Sequence, residues 1–229
     1  MKIIAYALLA TLGISLQGNA QRPAKRVVIE ENTGTQCSYC PRGIAGLEAV
    51  KDKYGDDAII IALHRYSRQD PMYLEYYADL GFDIAPVCRI NRGVKTDPFF
   101  GETEETPLGI IDTVEQEFQT ISCAEVEVDG HWTDNKSSIT AESKVTFAEN
   151  GGRYSLVFTA TADGLTGSTS NWLQMNAYSN TSPDSPTVAG TTLTDFCSGG
   201  EYGKKYVALT YDDVCTVSYT HLRAHETLS

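Results

Sequence analysis

The sequence is poor in positive charge. It has 18 lysines and arginines against 30 aspartates and glutamates, which leaves a formal net charge of −12 on 229 residues. Nucleic-acid binding needs a basic face that displaces counterions from phosphates, and attraction to anionic lipid needs basic clusters as well. The composition therefore argues against both kinds of partner.

Histidine is scarce, and two of the four histidines, His221 and His225, lie near the C-terminus. A structural zinc site takes four ligands, commonly two Cys-x-x-Cys pairs or one such pair with two histidines. Cys37 and Cys40 form one such pair, and the rest of the chain supplies no second pair at a comparable spacing. We therefore predict neither a metal nor a cofactor.

Long apolar runs are missing beyond the N-terminus. Residues 1–20 combine a basic Lys2, an apolar run from Ile3 to Leu16, and small residues at Gly18 and Ala20. This order is typical of a secretory signal peptide; a membrane anchor is the alternative, but the run is shorter than the ~20 residues that span a bilayer. We expect an exported protein with no transmembrane helix in its mature chain.

The C-terminal stretch, residues 216–229, is unusual. From Val217 onward, VSYTHLRAHET matches the translation of a common sequencing-library adapter, so we predict that this stretch is an artefact. A genuine polar tail is the alternative. On the first interpretation the natural protein continues beyond Cys215 with other residues.

Two kinds of pattern divide the rest of the chain. Residues 21–122 alternate buried-strand and helix signals, as an α/β domain does. The predicted strands and helices of this half are Arg26–Asn32, Pro41–Gly55, Asp57–Tyr66, Asp70–Phe82, Val87–Val94 and Glu105–Ile121. Residues 123–215 show short alternating runs between turn clusters, which favours a sandwich of antiparallel sheets.

The motif QCSYCPRG lies between a predicted strand and a predicted helix. Pro41 suits the first turn of that helix, because its missing N–H costs nothing there. Cys37 then lies at a helix N-terminus, where free N–H groups favour a thiolate, and Cys40 can attack a mixed disulfide formed at Cys37. A permanent structural disulfide is the alternative.

Strand, Cys-x-x-Cys and helix in this order resemble the thioredoxin superfamily. The resemblance implies a cis Ala85–Pro86 bond beside the cysteine pair, where an ordinary trans turn is the alternative. It also implies a buried Glu31 that assists proton transfer at Cys40, where a solvated strand end is the alternative. Cys88 is expected to be a small core side chain. Outside the motif, spacing selects no pairing among Cys88, Cys123, Cys197 and Cys215, although Cys197 with Cys215 is one candidate.

A longer string sharpens the resemblance. The elements VVIEENTGTQCSYCPRG, LHRYSRQDP and INR resemble the Bacteroidetes outer membrane protein family of about twenty-eight kilodaltons. That family implies a thioredoxin-like domain followed by an immunoglobulin-like β-domain, here C-terminally truncated, and a location in the periplasm, outer membrane or cell surface.

Two functions follow as hypotheses. In the first, an envelope protein exchanges thiols and disulfides with partner proteins through Cys37, Cys40, Pro86 and Glu31. In the second, the β-domain binds a surface partner and the Cys37–Cys40 disulfide is only a structural clip.

Overall fold

The computed structural model describes residues 25–103, 106–122, 124–135, 137–147 and 156–221. The helices are α1 (Pro41–Tyr54) and α2 (Ile110–Phe118). The strands are β1 (Val27–Thr33), β2 (Ala58–His64), β3 (Val87–Ile90), β4 (Lys95–Thr96), β5 (Ala124–Trp132), β6 (Ile139–Phe147), β7 (Leu156–Ala162), β8 (Gln174–Met175), β9 (Tyr206–Val207) and β10 (Val214–His221). The predicted signal peptide and Cys123 lie outside the described residues.

A six-stranded sheet in the order β4-β3-β1-β2-β10-β7 organises the fold. Strands β1 and β2 run parallel, and β3 pairs antiparallel with β1. Strand β2 is a nearly continuous apolar run, as expected where both faces of a sheet are covered, whereas β1 carries Glu30, Glu31 and Asn32 in its second half. On one face, α1 and α2 pack Leu47, Val50 and Val114 against Ile29 and Ile60.

The opposite face is covered by irregular chain rather than by the predicted helix at 70–82. This segment contains turns and extended backbone and no helical turn. Asp70 accepts a hydrogen bond from the backbone N–H of Met72, and Leu74 donates its N–H to the carbonyl of His64. The Asp70–Met72 bond is compatible with a helix start, but in a helix the N–H of Leu74 would donate to the carbonyl of Asp70, and its bond to His64 takes that donor away. Leu74 and Leu80 pack beneath the sheet instead.

The second half of the chain differs from the predicted sandwich. Strands β7 and β10 join the central sheet, whereas β5 and β6 form a separate two-stranded sheet. Val214 of β10 pairs with Ala62 of β2, so strand pairing crosses the predicted boundary at 122/123. Within the described ranges β5 and β6 pair with each other and with no strand of the central sheet, and Val128 and Trp132 of β5 are exposed. Alternation alone does not specify which sheet a strand joins.

Residues 163–213 form a loop-rich segment that returns to the N-terminal end of α1. It contains short 3₁₀ turns, including Ala177–Asn180 and Thr192–Phe196. Leu193 and Phe196 share a core cluster with Ala45 of α1. The segment therefore packs beside the cysteine motif, more than one hundred residues away in the sequence.

The remaining cysteines are not bridged in the described residues. Cys88, Cys197 and Cys215 are buried thiols. Cys197 packs with Phe196 whereas Cys215 packs with Leu63; the two lie in separate core clusters, so the candidate bridge between them is not formed. Strand β10 extends through residues 216–221, which places its end in the stretch predicted to be an artefact. No helix in the described ranges is long and apolar enough to cross a membrane.

Candidate functional site

The cysteine motif forms the turn between β1 and α1. Cys37 donates its backbone N–H to the carbonyl of Gly34 (3.0 Å), and Cys40 donates to the carbonyl of Cys37 (3.2 Å). Cys40 is the residue before the first turn of α1, which Pro41 opens as the sequence predicts. The two cysteines form a disulfide with their Cα atoms 5.3 Å apart. The turn thus holds both sulfur atoms at the start of the helix.

Glu31 lies beneath this turn and is 3% exposed. Its Oε1 atom is buried and has no hydrogen-bond partner among the described residues. Burial first, and the nearby charge of Asp97 second, raise the pKa of this carboxyl group well above its ordinary value. Glu31 is therefore a buried acid, not a solvated strand end.

Pro86 lies near the same carboxyl group. The Ala85–Pro86 bond is cis, which confirms the prediction. Asn32 donates its side-chain N–H to the carbonyl of Ile84 (2.7 Å) and so ties the preceding loop to β1. A β-carbon on Gly43 would lie 3.2 Å from Cβ of Pro86 and would overlap Oε1 of Glu31. The structure therefore brings together the first turn of α1, Glu31 and Pro86.

Cys88 is the core residue that the sequence predicts. It is fully buried, pairs with Glu31 across β1 and β3, and packs in the cluster beneath α1. Burial first, and then the charges of Glu31 and Asp97, raise the pKa of its thiol well above the ordinary value. A thiol held protonated is a poor nucleophile, which argues against a third reactive cysteine.

A segment that sequence reasoning missed bonds to the turn that carries the disulfide. We call residues 174–177 the strap. Met175 donates its N–H to the carbonyl of Thr35 (2.7 Å), Ala177 donates to the carbonyl of Ser38 (2.8 Å), and the side chain of Gln174 donates to the carbonyl of Cys37 (2.8 Å).

With the strap bonded to the turn, Cys37 is only 2% exposed and Cys40 is fully buried. Its own residues Gln174 and Asn176 are buried polar side chains. The only sequence signal for it is the string NWLQMNAYS, whose polar positions gave no indication of what they would contact.

His64 ends β2 and bonds to a buried carboxylate. Its Nδ1 atom lies 2.9 Å from Oδ2 of Asp70, which also accepts the backbone N–H of Thr35 (2.7 Å). Burial opposes ionisation of Asp70, but the bonds from His64, Thr35 and Met72 prevail and lower its pKa. His64 is thus a hydrogen-bonded core histidine that helps to fix the loop before Cys37.

A cavity of about 540 Å³ lies between α1, β2 and the loop-rich segment. Glu31, His64 and Gln174 line its inner part, and Glu48 and Asp212 are among the acidic groups that also line it. Water in a cavity with these polar groups has partners to bond. The cavity therefore places Glu31 beside a space that has polar partners for water.

Comparison with known proteins gives one structural likeness. The fold is similar to HBP35 of Porphyromonas gingivalis, with a TM-score of 0.51 and 15% sequence identity. The alignment covers 86% of this chain and 57% of that one, so this chain spans little more than half of its neighbour's length. At this identity the likeness concerns the fold alone. No protein-family model matches the chain, and no curated protein matches it either.

Proposed function

We propose that the chain is an exported cell-envelope protein whose thioredoxin-like Cys37–Cys40 turn exchanges thiols and disulfides with partner proteins. Cys37 is the sulfur that partners attack, and Cys40 is the resolving thiol. Glu31 is the proton donor and acceptor for Cys40, and Pro86 forms part of the surface on which partners dock. The parallel β1–α1–β2 unit, the antiparallel β3 and the cis Ala85–Pro86 bond support this assignment.

The exchange transfers two electrons between the Cys37–Cys40 pair and a pair of cysteines in the partner. A partner thiolate attacks Sγ of Cys37, the Cys37–Cys40 bond breaks, and Cys40 leaves as a thiolate. The protonated carboxyl of Glu31 transfers its proton to Cys40. The partner's second thiol then attacks the partner sulfur of the mixed disulfide and releases Cys37. One disulfide is reduced and one is formed, and the steps run in reverse when the partner is the oxidised protein.

The observation that carries this proposal is the unpartnered Oε1 atom of Glu31 beneath the motif. A buried carboxyl group without a partner costs stability, and a disulfide that only clips a helix end has no use for it. Acids with strongly raised pKa values cluster at functional sites. A proton relay accounts for an acid at this position, whereas a clip does not.

The burial of Cys37 favours the second candidate, a structural clip with partner binding elsewhere. At 2% exposure its sulfur is not open to a bulky partner while the strap is in place. The exposed apolar side chains of β5, Val128 and Trp132 among them, offer a surface for such a partner. Exchange therefore requires the strap to move, whereas a structural role for the disulfide requires no movement.

Trapping distinguishes the two candidates. A Cys40→Ser variant keeps the attacking thiol of Cys37 and lacks the resolving thiol. If exchange is the function, this variant should accumulate mixed disulfides with protein partners in envelope extracts. Cys37→Ser is the matched control and should accumulate none. Mass spectrometry identifies the linked cysteine. If the two variants, both folded by circular dichroism, trap equally little, exchange is excluded and the clip is supported.

The export proposal rests on residues 1–20 and on the family resemblance. Cell fractionation of the producing organism tests it: the protein should be recovered from the periplasm, the outer membrane or the cell surface with its N-terminus at residue 21. Recovery from the cytosol with Met1 retained would contradict it.

A further inference from the structure

The strap is attached to the cysteine turn through few bonds. The backbone N–H groups of Met175 and Ala177 donate to the carbonyls of Thr35 and Ser38. The side-chain amide of Gln174 donates to the carbonyls of Cys37 (2.8 Å) and Gly34 (3.4 Å). The donating amides are two residues apart, which is the spacing of one side of an extended strand. Residue 176 between them is extended, with φ −133° and ψ 112°. The turn thus presents its carbonyls to an extended chain.

The other side of the strap is bonded to its own segment. The side chain of Asn176 donates to the carbonyls of Phe196 (2.7 Å), Tyr202 (3.1 Å) and Lys204 (3.1 Å). Strand β8, which includes Met175, pairs with β9. These bonds fix the strap's conformation from within its own segment and do not involve the turn.

We propose that the strap is an intramolecular occupant of a polypeptide-docking site formed by the carbonyls of Thr35, Cys37 and Ser38, and that an extended segment of a partner protein replaces it before exchange at Cys37. This rests on the proposed function and adds its substrate class. The chemistry that recognises the partner is main-chain hydrogen bonding, as in strand addition. A partner that cannot supply two alternate N–H groups leaves the disulfide covered.

Ala177 offers a variant that removes one strap bond and little else. It is the first residue of the 3₁₀ turn Ala177–Asn180, where proline fits, and the extended backbone of Asn176 suits the residue before a proline. Ala177→Pro deletes the N–H that donates to Ser38 and keeps the turn. Ala177→Ser, which keeps the N–H, is the matched control.

The first measurement is the rate at which dithiothreitol reduces the Cys37–Cys40 disulfide. We expect Ala177→Pro to be reduced about fivefold faster than the wild type, the factor that corresponds to one hydrogen bond of ordinary strength. Ala177→Ser should react at the wild-type rate. Equal rates in all three folded proteins would overturn the strap as a cover.

A second measurement needs no variant. Amide hydrogen exchange at Met175 and Ala177 reports opening of the strap, and exchange at Val114 of the core reports global unfolding. As urea is added, the reduction rate should rise together with exchange at the two strap amides and before exchange at Val114. Reduction that follows Val114 instead would overturn the proposal.

A peptide tests the substrate class. The nitrogen of Gln174 lies 2.8 Å from the carbonyl of Cys37, so a cysteine at this place in a docked peptide stands beside the disulfide. The peptide copies residues 173–178 with Gln174→Cys, and its control is N-methylated at Met175 and Ala177. The parent should form the mixed disulfide with Ala177→Pro at least fivefold faster than the control. Equal rates would exclude main-chain docking.

The two proposals fail in different ways. In one outcome, dithiothreitol reduces Ala177→Pro faster than the wild type, but the double variant Cys40→Ser, Ala177→Pro traps no partner. The strap is then a cover, and exchange is not the function. If Cys40→Ser traps partners and Ala177→Pro changes neither rate nor trapping, exchange stands and the strap inference is wrong.

Discussion

The carboxyl group of Glu31 occupies the space that a β-carbon of residue 43 would need. Gly43 is buried in the first turn of α1, and a β-carbon there would overlap Oε1 of Glu31 and press on Pro86. Glycine in a helix costs about 1 kcal/mol relative to alanine. At this position the glycine lets the helix approach the acid and the cis-proline closely, so the site depends on it.

Gly43→Ala should therefore destabilise the protein although it raises helix propensity. We expect the free energy of unfolding to fall by about 1–3 kcal/mol, as for other overpacked core positions. Urea denaturation measures it. In a Glu31→Ala background the overlapping carboxyl is gone, so the same substitution should cost less. An equal cost in both backgrounds would show that Glu31 is not the group that excludes the β-carbon.

Glu31→Gln should change how stability depends on pH. The pKa of Glu31 is raised in the folded state, so between its unfolded value of about 4.3 and its folded value the folded protein binds more protons. The contribution of Glu31 is then fully present below about pH 4.3 and is lost as the pH rises through the folded pKa. Each pH step of one inside this window removes about 1.4 kcal/mol.

The glutamine variant lacks this loss, so its stability relative to the wild type should increase from about pH 4.3 upward. Urea denaturation across the pH range measures the difference. Glu102→Gln, on an exposed loop, is the control and should show no such trend. A constant difference between Glu31→Gln and the wild type would mean that the acid is ionised in the folded protein.

Asp70→Asn should weaken the loop that leads into Cys37. The carboxylate of Asp70 accepts bonds from Thr35, Met72 and His64, and bonds to a charged group are worth about 1.5–3 kcal/mol. Its pKa is lowered in the folded state, so its contribution is present above about pH 3.9 and is lost as the pH falls through the folded pKa.

We therefore expect Asp70→Asn to lose about 2 kcal/mol at pH 7 and to lose less further stability than the wild type in acid. Thermal or urea unfolding at pH 3 and pH 7 checks both points. Asp184→Asn, at an exposed aspartate, should leave stability unchanged. A variant as acid-sensitive as the wild type would assign that sensitivity to other carboxyl groups.

The site was predictable from the sequence where its residues are near neighbours in the chain or in the sheet. Cys37, Cys40 and Pro41 follow one another, and the order of strand, motif and helix places Glu31 beneath them. Pro86 immediately precedes β3, the strand that pairs with β1, so one adjacent strand brings it to the same place. Each of these positions follows from local order and one strand pairing.

The strap was not predictable in the same way. Gln174 contacts Cys37 across 137 residues of sequence, and its segment has short 3₁₀ turns with no sustained periodicity. From the sequence alone, polar residues such as Gln174 and Asn176 are expected on the surface. No local pattern shows that their side-chain amides will donate to buried backbone carbonyls. The helix predicted at 70–82 fails for a related reason, because the backbone N–H of Leu74 donates to the carbonyl of His64 on the neighbouring strand and not within a helix.

The last prediction concerns the hairpin of β5 and β6, because the structure and the expected sandwich differ most there. One face pairs Val126 with Val145 and Trp132 with Ile139, whereas the other carries Glu127 opposite Lys144. The apolar face is that of a sheet in a sandwich, yet Val128 on it is 66% exposed.

Val128→Thr keeps the β-branched shape and adds a hydroxyl group. If the face is solvated as the structure has it, the free energy of unfolding should change by less than about 0.5 kcal/mol. Val27→Thr is the same change at a fully buried strand position. It should lower the free energy of unfolding by about 1–3 kcal/mol because its hydroxyl is buried without a hydrogen-bond partner. Urea denaturation of both variants gives the comparison. A cost at Val128 as large as that at Val27 would mean that a second sheet or a partner covers this face, as the sequence pattern predicts.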